Sequence, residues 1–213
     1  MSETPIRVLL VDDHPVVRAG YRRLLESEGD IRVVAEAGSG EEGYRLFTEA
    51  PVDVVVMDLS MPGIGGLEAV RRMLAREPAA RVLVFSVYES EAMLAQALRA
   101  GVHGYLTKQS APQAMVEAVR QVCRGETFID PLLGEHAVEE GADEAGPLGR
   151  LTPREFQVFR LLAEGHSVNE IARVLSISPK TAGVHHTRVM NKLGARTPVE
   201  LVRIALRYGV ISA

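Results

Sequence analysis

The chain has 213 residues, 46% of them hydrophobic and 24% charged, enough for one large or two small globular cores. Its single cysteine, Cys123, rules out an intrachain disulfide framework, and no apolar run is long enough to span a membrane. The net charge of −4 divides unevenly: residues 1–150 carry 15 basic and 24 acidic side chains (−9), whereas residues 151–213 carry 9 and 4 (+5). A basic C-terminal segment hints at nucleic acid. The N-terminal stretch Met1 to Arg7 has no apolar targeting core, so a cytoplasmic protein without membrane contact is expected.

Residues 1–124 alternate strand and helix, which predicts a doubly wound α/β domain. Ile6 to Val11 reads as a buried strand ending in Asp12-Asp13, and Pro15 opens a helix with Val17, Tyr21, Leu24 and Leu25 on one face. Ile31 to Ala37 reads as an edge strand. Ser39 with Glu42 has the spacing of a capping box for the next helix. Val54 to Met57 is an unbroken β-branched and apolar run, the signature of a strand buried on both faces. It ends at Asp58, and Pro62, Gly63, Gly65 and Gly66 then stop it. A helix follows from about Leu67 to Arg76. Val82 to Phe85 is a strand ending in Ser86, and Ser90 can cap the helix after it. Gly104-Tyr105-Leu106 is a short strand leading to Thr107-Lys108, and Ser110 with Gln113, around Pro112, marks the start of a fifth helix. Cys123 falls in the apolar stripe of that helix, with Met115, Ala118, Val119 and Val122, and reads as a core thiol.

An aspartate at a strand end is usually a helix cap or a loop acid. Here four strand ends deliver polar groups, Asp12-Asp13, Asp58, Ser86 and Thr107-Lys108, and in an open parallel sheet the carboxyl edge is where ligands bind. The ordered set Asp12-Asp13, Asp58, Ser86 and Lys108 resembles the receiver domain of two-component response regulators. That resemblance implies a flavodoxin-like fold with a five-stranded parallel sheet, and a phosphoryl group accepted on Asp58 from a sensor histidine kinase. It also implies Mg2+ held by Asp13, Asp58 and the Ser60 backbone carbonyl, with Asp12 in support. Lys108 and Ser86 are then expected to meet phosphoryl oxygens. Tyr105 reads equally as a half-buried aromatic on an edge strand or as a switch residue that turns inward when Ser86 moves.

Residues 125–150 hold seven acids, several glycines and two prolines, and read as an acidic linker with a short helix around Leu132 to Val138. Residues 151–213 predict an all-α domain of four helices. Thr152-Pro153-Arg154-Glu155 and Ser167 with Glu170 are capping boxes; Ser178-Pro179 and Thr197-Pro198-Val199-Glu200 are further capped starts. The second and third helices, joined by Leu175-Ser176-Ile177, have helix-turn-helix spacing. On the third, Ala182, His186, Val189 and Leu193 share an inward face. Lys180, Gly183, Val184, Thr187, Arg188 and Asn191 lie mostly on the other, which has no acids and suits a DNA major groove.

This segment resembles the LuxR-type DNA-binding domain through Leu151-Thr152-Pro153-Arg154-Glu155, Gly165 to Ile171-Ala172, Ser178-Pro179-Lys180-Thr181, His185 and Lys192-Leu193-Gly194. The pairing resembles the NarL/FixJ class of response regulators. It implies a transcription factor that binds double-stranded DNA, as a homodimer when phosphorylated, with RNA polymerase an eligible partner. The implied contacts are Lys180 and Thr181 to phosphates, Val184, Thr187 and Arg188 to bases or backbone, and His185 within the same DNA-binding set. Two residues depart from the pattern: Ala182 stands where valine is usual, and Gly183 where a polar or basic residue is frequent. An aspartyl phosphatase is the competing enzyme reading. It needs an acid two residues after the nucleophile, and Ser60 stands there. A DNA-binding protein with a vestigial receiver is a third reading, opposed by the intact acids, Ser86 and Lys108.

Overall fold

The computed structural model describes residues 4–87, 91–133, 147–208 and 210–211. The chain forms two compact units, one of residues 1–87 and 97–134, the other of residues 88–96 and 135–213.

In the first unit the apolar runs become strands β1 (Ile6–Val11), β2 (Ile31–Ala37), β3 (Val54–Met57), β4 (Val82–Ser86), β5 (Gly104–Thr107) and β6 (Phe128–Ile129). All are parallel, in the order β2-β1-β3-β4-β5-β6. Its helices are α1 (Pro15–Glu26), α2 (Gly40–Glu49), α3 (Gly66–Arg76) and α5 (Pro112–Cys123); of α4 (Glu91–Arg99), residues 97–99 belong to this unit and 91–96 to the second. Every residue of β3, β4 and β5 is buried, which explains why those segments lack apolar–polar alternation. Val8, Leu10, Val54, Val56, Leu83 and Phe85 form one core layer with Leu25 of α1 and Met115, Val119 and Val122 of α5. Cys123 lies half-buried against that layer, and burial pushes its thiol pKa up. The chain order reverses between β1 and β3, so the switch point opens where β1 ends in Asp12-Asp13 and β3 in Asp58.

Several sequence expectations change on the structure. The sheet has six strands rather than five, because Phe128–Ile129, at the start of the stretch read as linker, pairs with Gly104 and Tyr105. Tyr105 is therefore no edge aromatic: β6 covers its strand and the residue is fully buried. The Ser39 hydroxyl accepts from the Glu42 amide, but the Glu42 carboxylate reaches the Gly38 amide at 2.9 Å, completing no reciprocal box. Ser110 does not cap α5; Ala111 holds that position without a side-chain bond, and the Ser110 hydroxyl turns to Asp130. Pro131–Leu133 is a single 3-10 turn, while the remainder of the expected linker helix, residues 134–146 of the linker and the Ser90 cap lie outside the described residues.

The second unit's helical part follows its caps. A 3-10 turn, Pro147–Arg150, precedes α6 (Pro153–Ala163), α7 (Val168–Val174), α8 (Pro179–Leu193) and α9 (Pro198–Arg207). Thr152–Glu155 and Ser167–Glu170 form complete capping boxes, and Ser178 and Thr197 each accept from the third helical amide. Gly194 ends α8 in the left-handed conformation (φ 64°). Phe156, Val158, Phe159, Ile171, Ala172, Ala182, Val189, Leu201 and Ala205 are the buried core.

Candidate functional site

The carboxyl edge of the sheet gathers a polar cluster inside an apolar unit. Backbone bonds fix its floor: the Asp58 amide donates to Val11 O at 2.9 Å and the Asp12 amide to Ala37 O at 3.1 Å. Asp12 and Asp58 are each only 1% exposed. Lys108 Nζ lies 2.6 Å from Asp12 Oδ2 and 2.8 Å from Asp58 Oδ2, and stands 5.5 Å from the centroid of the Phe85 ring. The Ser60 amide donates to Asp58 Oδ1 at 2.9 Å, so both carboxylate oxygens are aimed. Burial pushes the Asp58 pKa up, against the opposing pull of Lys108. For Lys108 burial acts downward, but Asp58 and Asp12 outweigh it and hold the ammonium above its ordinary pKa.

Asp12, Asp13, His14 and Asp58 offer one ligand atom each, all within 4.8 Å of one another, so a metal ion fits this corner. Asp13 Oδ1 is buried and accepts no well-formed hydrogen bond, as a ligand atom would be; His14 Nδ1 stands 2.8 Å from it. His14 was not singled out from the sequence, although its position beside Asp12-Asp13 was a usable signal. The β3–α3 loop that carries Ser60 is braced by Glu41, whose carboxylate accepts from the Ile64 amide at 2.9 Å. Ser86 sits at the end of β4, fully buried, and its carbonyl accepts from the Lys108 amide at 2.8 Å. Structurally, Asp12, Asp13, Asp58, Ser60 and Lys108 meet at one mouth, where a cation and an anionic group can be held side by side.

In the second unit, α7, the turn and α8 have the expected helix-turn-helix order. The turn is held by Ile177 N to Ala172 O (2.9 Å) and by Arg154 Nη2 to Leu175 O (2.7 Å). Lys180, Thr181, Val184, Thr187 and Arg188 are exposed on α8. His185 differs: its ring is half-buried, with Nδ1 sealed and without a protein partner. His186, expected inside, is also only half-buried. The Thr187 hydroxyl donates to Gly183 O at 3.0 Å, and the Thr181 amide is used by the Ser178 cap at 3.1 Å.

A phosphoryl-type acidic pocket on a doubly wound sheet, followed by a helix-turn-helix, defines a response regulator with a DNA-binding output. Residues 8–120 match the response regulator receiver domain, and residues 149–205 match the bacterial regulatory proteins of the luxR family. The chain belongs to the response regulators that join these two domains, whose receiver is a phosphoryl acceptor rather than a turnover enzyme. It is 40% identical over 212 residues to Response regulator UvrY of Escherichia coli (strain K12), covering 98% of this chain and 97% of that one. RcsB from Salmonella enterica serovar Typhimurium, solved bound to promoter P1flhDC in the presence of the phosphomimetic BeF3−, aligns with a TM-score of 0.67 and 29% identity over 94% of this chain and 98% of that chain. A structure of two RcsB dimers bound to two parallel DNAs aligns with a TM-score of 0.56 and 28% identity over 94% and 97%. No helix among the described residues is long and apolar enough to cross a membrane.

Proposed function

We propose that Asp58 receives a phosphoryl group from a sensor histidine kinase, and that this promotes dimerisation and sequence-specific binding of double-stranded DNA through α8. The observation that carries the reading is Lys108 Nζ held 2.6 Å and 2.8 Å from two buried carboxylates at the switch point of the sheet. A carboxylate oxygen of Asp58 attacks phosphorus, the bond from phosphorus to the donor imidazole breaks, and the imidazole leaves with a proton. Lys108 gives up Asp58 to pair with a phosphoryl oxygen, and Ser86 donates its hydroxyl to another. Tyr105, beside Ser86's strand, follows that shift as the switch residue. Magnesium is the cation this oxygen-rich corner suits, held by Asp13, Asp58 and the Ser60 carbonyl with Asp12 in support. When bound it offsets the negative charge that gathers around the transferred group.

Lys180 and Thr181 meet DNA phosphates; Val184, Thr187 and Arg188 face base edges or backbone, and His185 serves from the half-buried side of the same helix. RcsB's promoter complexes and dimers on DNA support a DNA-bound homodimer here; RNA polymerase is an eligible further partner of a transcription factor so placed. Family membership supports a cytoplasmic setting and a receiver joined by a linker to a DNA-binding domain; the bounds read from the sequence (1–124, 125–150 and 151–213) move at the first junction, because β6 carries the receiver sheet to Ile129.

The test is intact mass after incubation with acetyl phosphate and magnesium. The wild type is expected to gain one phosphoryl mass, the Asp58→Asn variant none, and chelation to abolish the gain. Electrophoretic shift of promoter DNA should then strengthen with the modified protein. Unmodified wild type with unchanged DNA binding would replace this reading with a receiver that works without phosphorylation.

A further inference from the structure

A third buried carboxylate of the first unit, after Asp12 and Asp58, holds the turn that carries Lys108, and it comes from the stretch read as linker. Asp130 follows β6 and is 2% exposed. Its amide donates to Tyr105 O at 2.9 Å, continuing the β5–β6 ladder. Its Oδ2 accepts from the Thr107 amide at 2.8 Å, from the Thr107 hydroxyl at 2.8 Å, and from the Ser110 hydroxyl. Thr107 Oγ1 and Ser110 Oγ are themselves 3.1 Å apart. The other oxygen, Oδ1, accepts from the Leu132 amide at 3.0 Å. Burial alone would push this carboxyl up, but the hydrogen bonds from Ser110, Thr107 and Leu132 outweigh it and hold the pKa below its ordinary value.

The residues Asp130 grips, Thr107 and Ser110, bracket Lys108. A lysine side chain has four rotatable bonds, so Nζ is only as well aimed as the backbone it leaves from. On the strand side that backbone is fixed by the Lys108 amide on Ser86 O at 2.8 Å. On the far side the turn has one long backbone bond, Ser110 N to Thr107 O at 3.2 Å, and otherwise depends on Asp130. Charge-assisted bonds are the stronger kind, and several converge on one carboxylate oxygen.

We propose that Asp130 is a positioning residue for Lys108: by clamping Thr107 and Ser110 it sets the turn from which Nζ reaches Asp12 and Asp58, and so sets the rate at which the receiver accepts a phosphoryl group. The rate arm of the proposal rests on Asp58 being the acceptor; the placement of Nζ does not. A carboxylate that merely ties down the end of β6 would support stability without governing Lys108.

The chain has three lysines, Lys108, Lys180 and Lys192, so amine labelling separates these roles directly. The full-length protein is treated with an acetylating ester, and each lysine is followed by peptide mass spectrometry. In Asp130→Ala, Lys108 labels on the order of tenfold faster than in wild type, with Lys180 and Lys192 unchanged. Ser110→Ala, which removes one bond and leaves the fold intact, moves Lys108 in the same direction by less, and Asp130→Asn falls between wild type and Asp130→Ala. Unchanged Lys108 labelling in Ser110→Ala and Asp130→Asn, both folded by circular dichroism, overturns the proposal. In a second arm, acetyl phosphate modifies Asp130→Ala more slowly than wild type, while Lys108→Ala and the Lys108→Ala/Asp130→Ala double variant are equally slow. Further slowing in the double variant overturns the coupling. A wild type that accepts no phosphoryl group defeats the reading of Asp58, and the labelling arm still decides whether Asp130 aims Lys108.

Discussion

The two regions that do this protein's work are assembled in opposite ways. The acidic pocket joins residues far apart in the chain: Lys108 reaches back 96 positions to Asp12 and 50 to Asp58. Each sits at the end of a different strand, so the pocket exists only when the sheet is complete. The helix-turn-helix is built from neighbours. Its caps are bonds between residues three apart, Thr152 with Glu155, Ser167 with Glu170, Ser178 with Thr181 and Thr197 with Glu200. The DNA-contact face proposed for it is one side of a single helix. A non-local pocket is sensitive to any backbone shift at a strand end; a local face tolerates change unless the residue itself touches DNA. Two glycines, one in each region, expose that difference most sharply.

Gly66→Ala should have the largest effect. A Cβ there would stand 1.9 Å from the Asp58 carbonyl oxygen and 2.8 Å from Leu59 Cα, and no side-chain rotation can relieve a collision with backbone. Destabilisation of about 3 kcal/mol or more is expected, the upper end of overpacking, with loss of phosphoryl uptake. Chemical denaturation and the intact-mass assay check both. Wild-type stability in this variant would mean that the β3–α3 loop yields far more readily than its packing implies.

Glu155→Ala comes next, in the second unit. Glu155 is 2% exposed, accepts from the Thr152 amide at 2.7 Å, and holds Lys192 at 2.5 Å across to α8. Losing the cap and the ion pair should cost roughly 2–3 kcal/mol, read as faster amide exchange in Pro153–Ala163. Burial pushes this carboxyl up, yet the bonds from Lys192 and Thr152 prevail and hold its pKa below 4.5. The stabilisation is therefore complete above pH 4.5 and is lost as the pH falls through the lower folded value. The variant's exchange rates should lack that acid step.

What could be read in the sequence divides along the same line. The caps of α6, α7, α8 and α9 were legible because a hydroxyl and an amide three residues apart form one local motif. The strand ends of Asp12, Asp58, Ser86 and Lys108 were legible because buried parallel strands are nearly unbroken apolar runs. β6 was not: Phe128–Ile129 is two residues long, too short for a period, and only β5 makes it a strand. Ser110 looked like a helix cap because its spacing permits one, and Asp130, 20 residues away, competes successfully for its hydroxyl. Ser176 adopts φ 53° in the helix-turn-helix turn, a conformation its side chain does not advertise. For β6 and Ser110 the deciding contact was tertiary.

Gly183→Ala should act in the opposite sense from Gly66→Ala. Nothing lies within 4 Å of a Cβ placed on Gly183, which is in the interior of α8. Replacing a helical glycine then stabilises by about 1 kcal/mol. Thermal melting checks the gain, and DNA titration asks whether the bare backbone was needed for close approach. Unchanged affinity with a higher melting temperature would identify Gly183 as a removed contact; weakened affinity would make it a point of close approach to DNA.

The smallest expected effect is a pH dependence in the same helix. His185 is half-buried; burial lowers its pKa from 6.5, Arg154 and Arg188 push the same way, and Glu155 opposes them. Folding therefore favours the neutral ring. Above pH 6.5 neither the folded nor the unfolded form carries the proton and stability is level. As the pH falls through 6.5 the unfolded chain takes it up first, so stability declines until the lower folded value is reached. The slope should be shallow, because a ring this open to solvent is screened. His185→Gln should flatten it, seen as α8 amide exchange between pH 7.5 and about 5.5 that no longer accelerates beyond its intrinsic pH dependence. The same depression makes His185 a neutral partner at pH 7, so its substitution should leave the salt dependence of DNA binding unchanged, whereas loss of a lysine from the same face would lower that slope by about one.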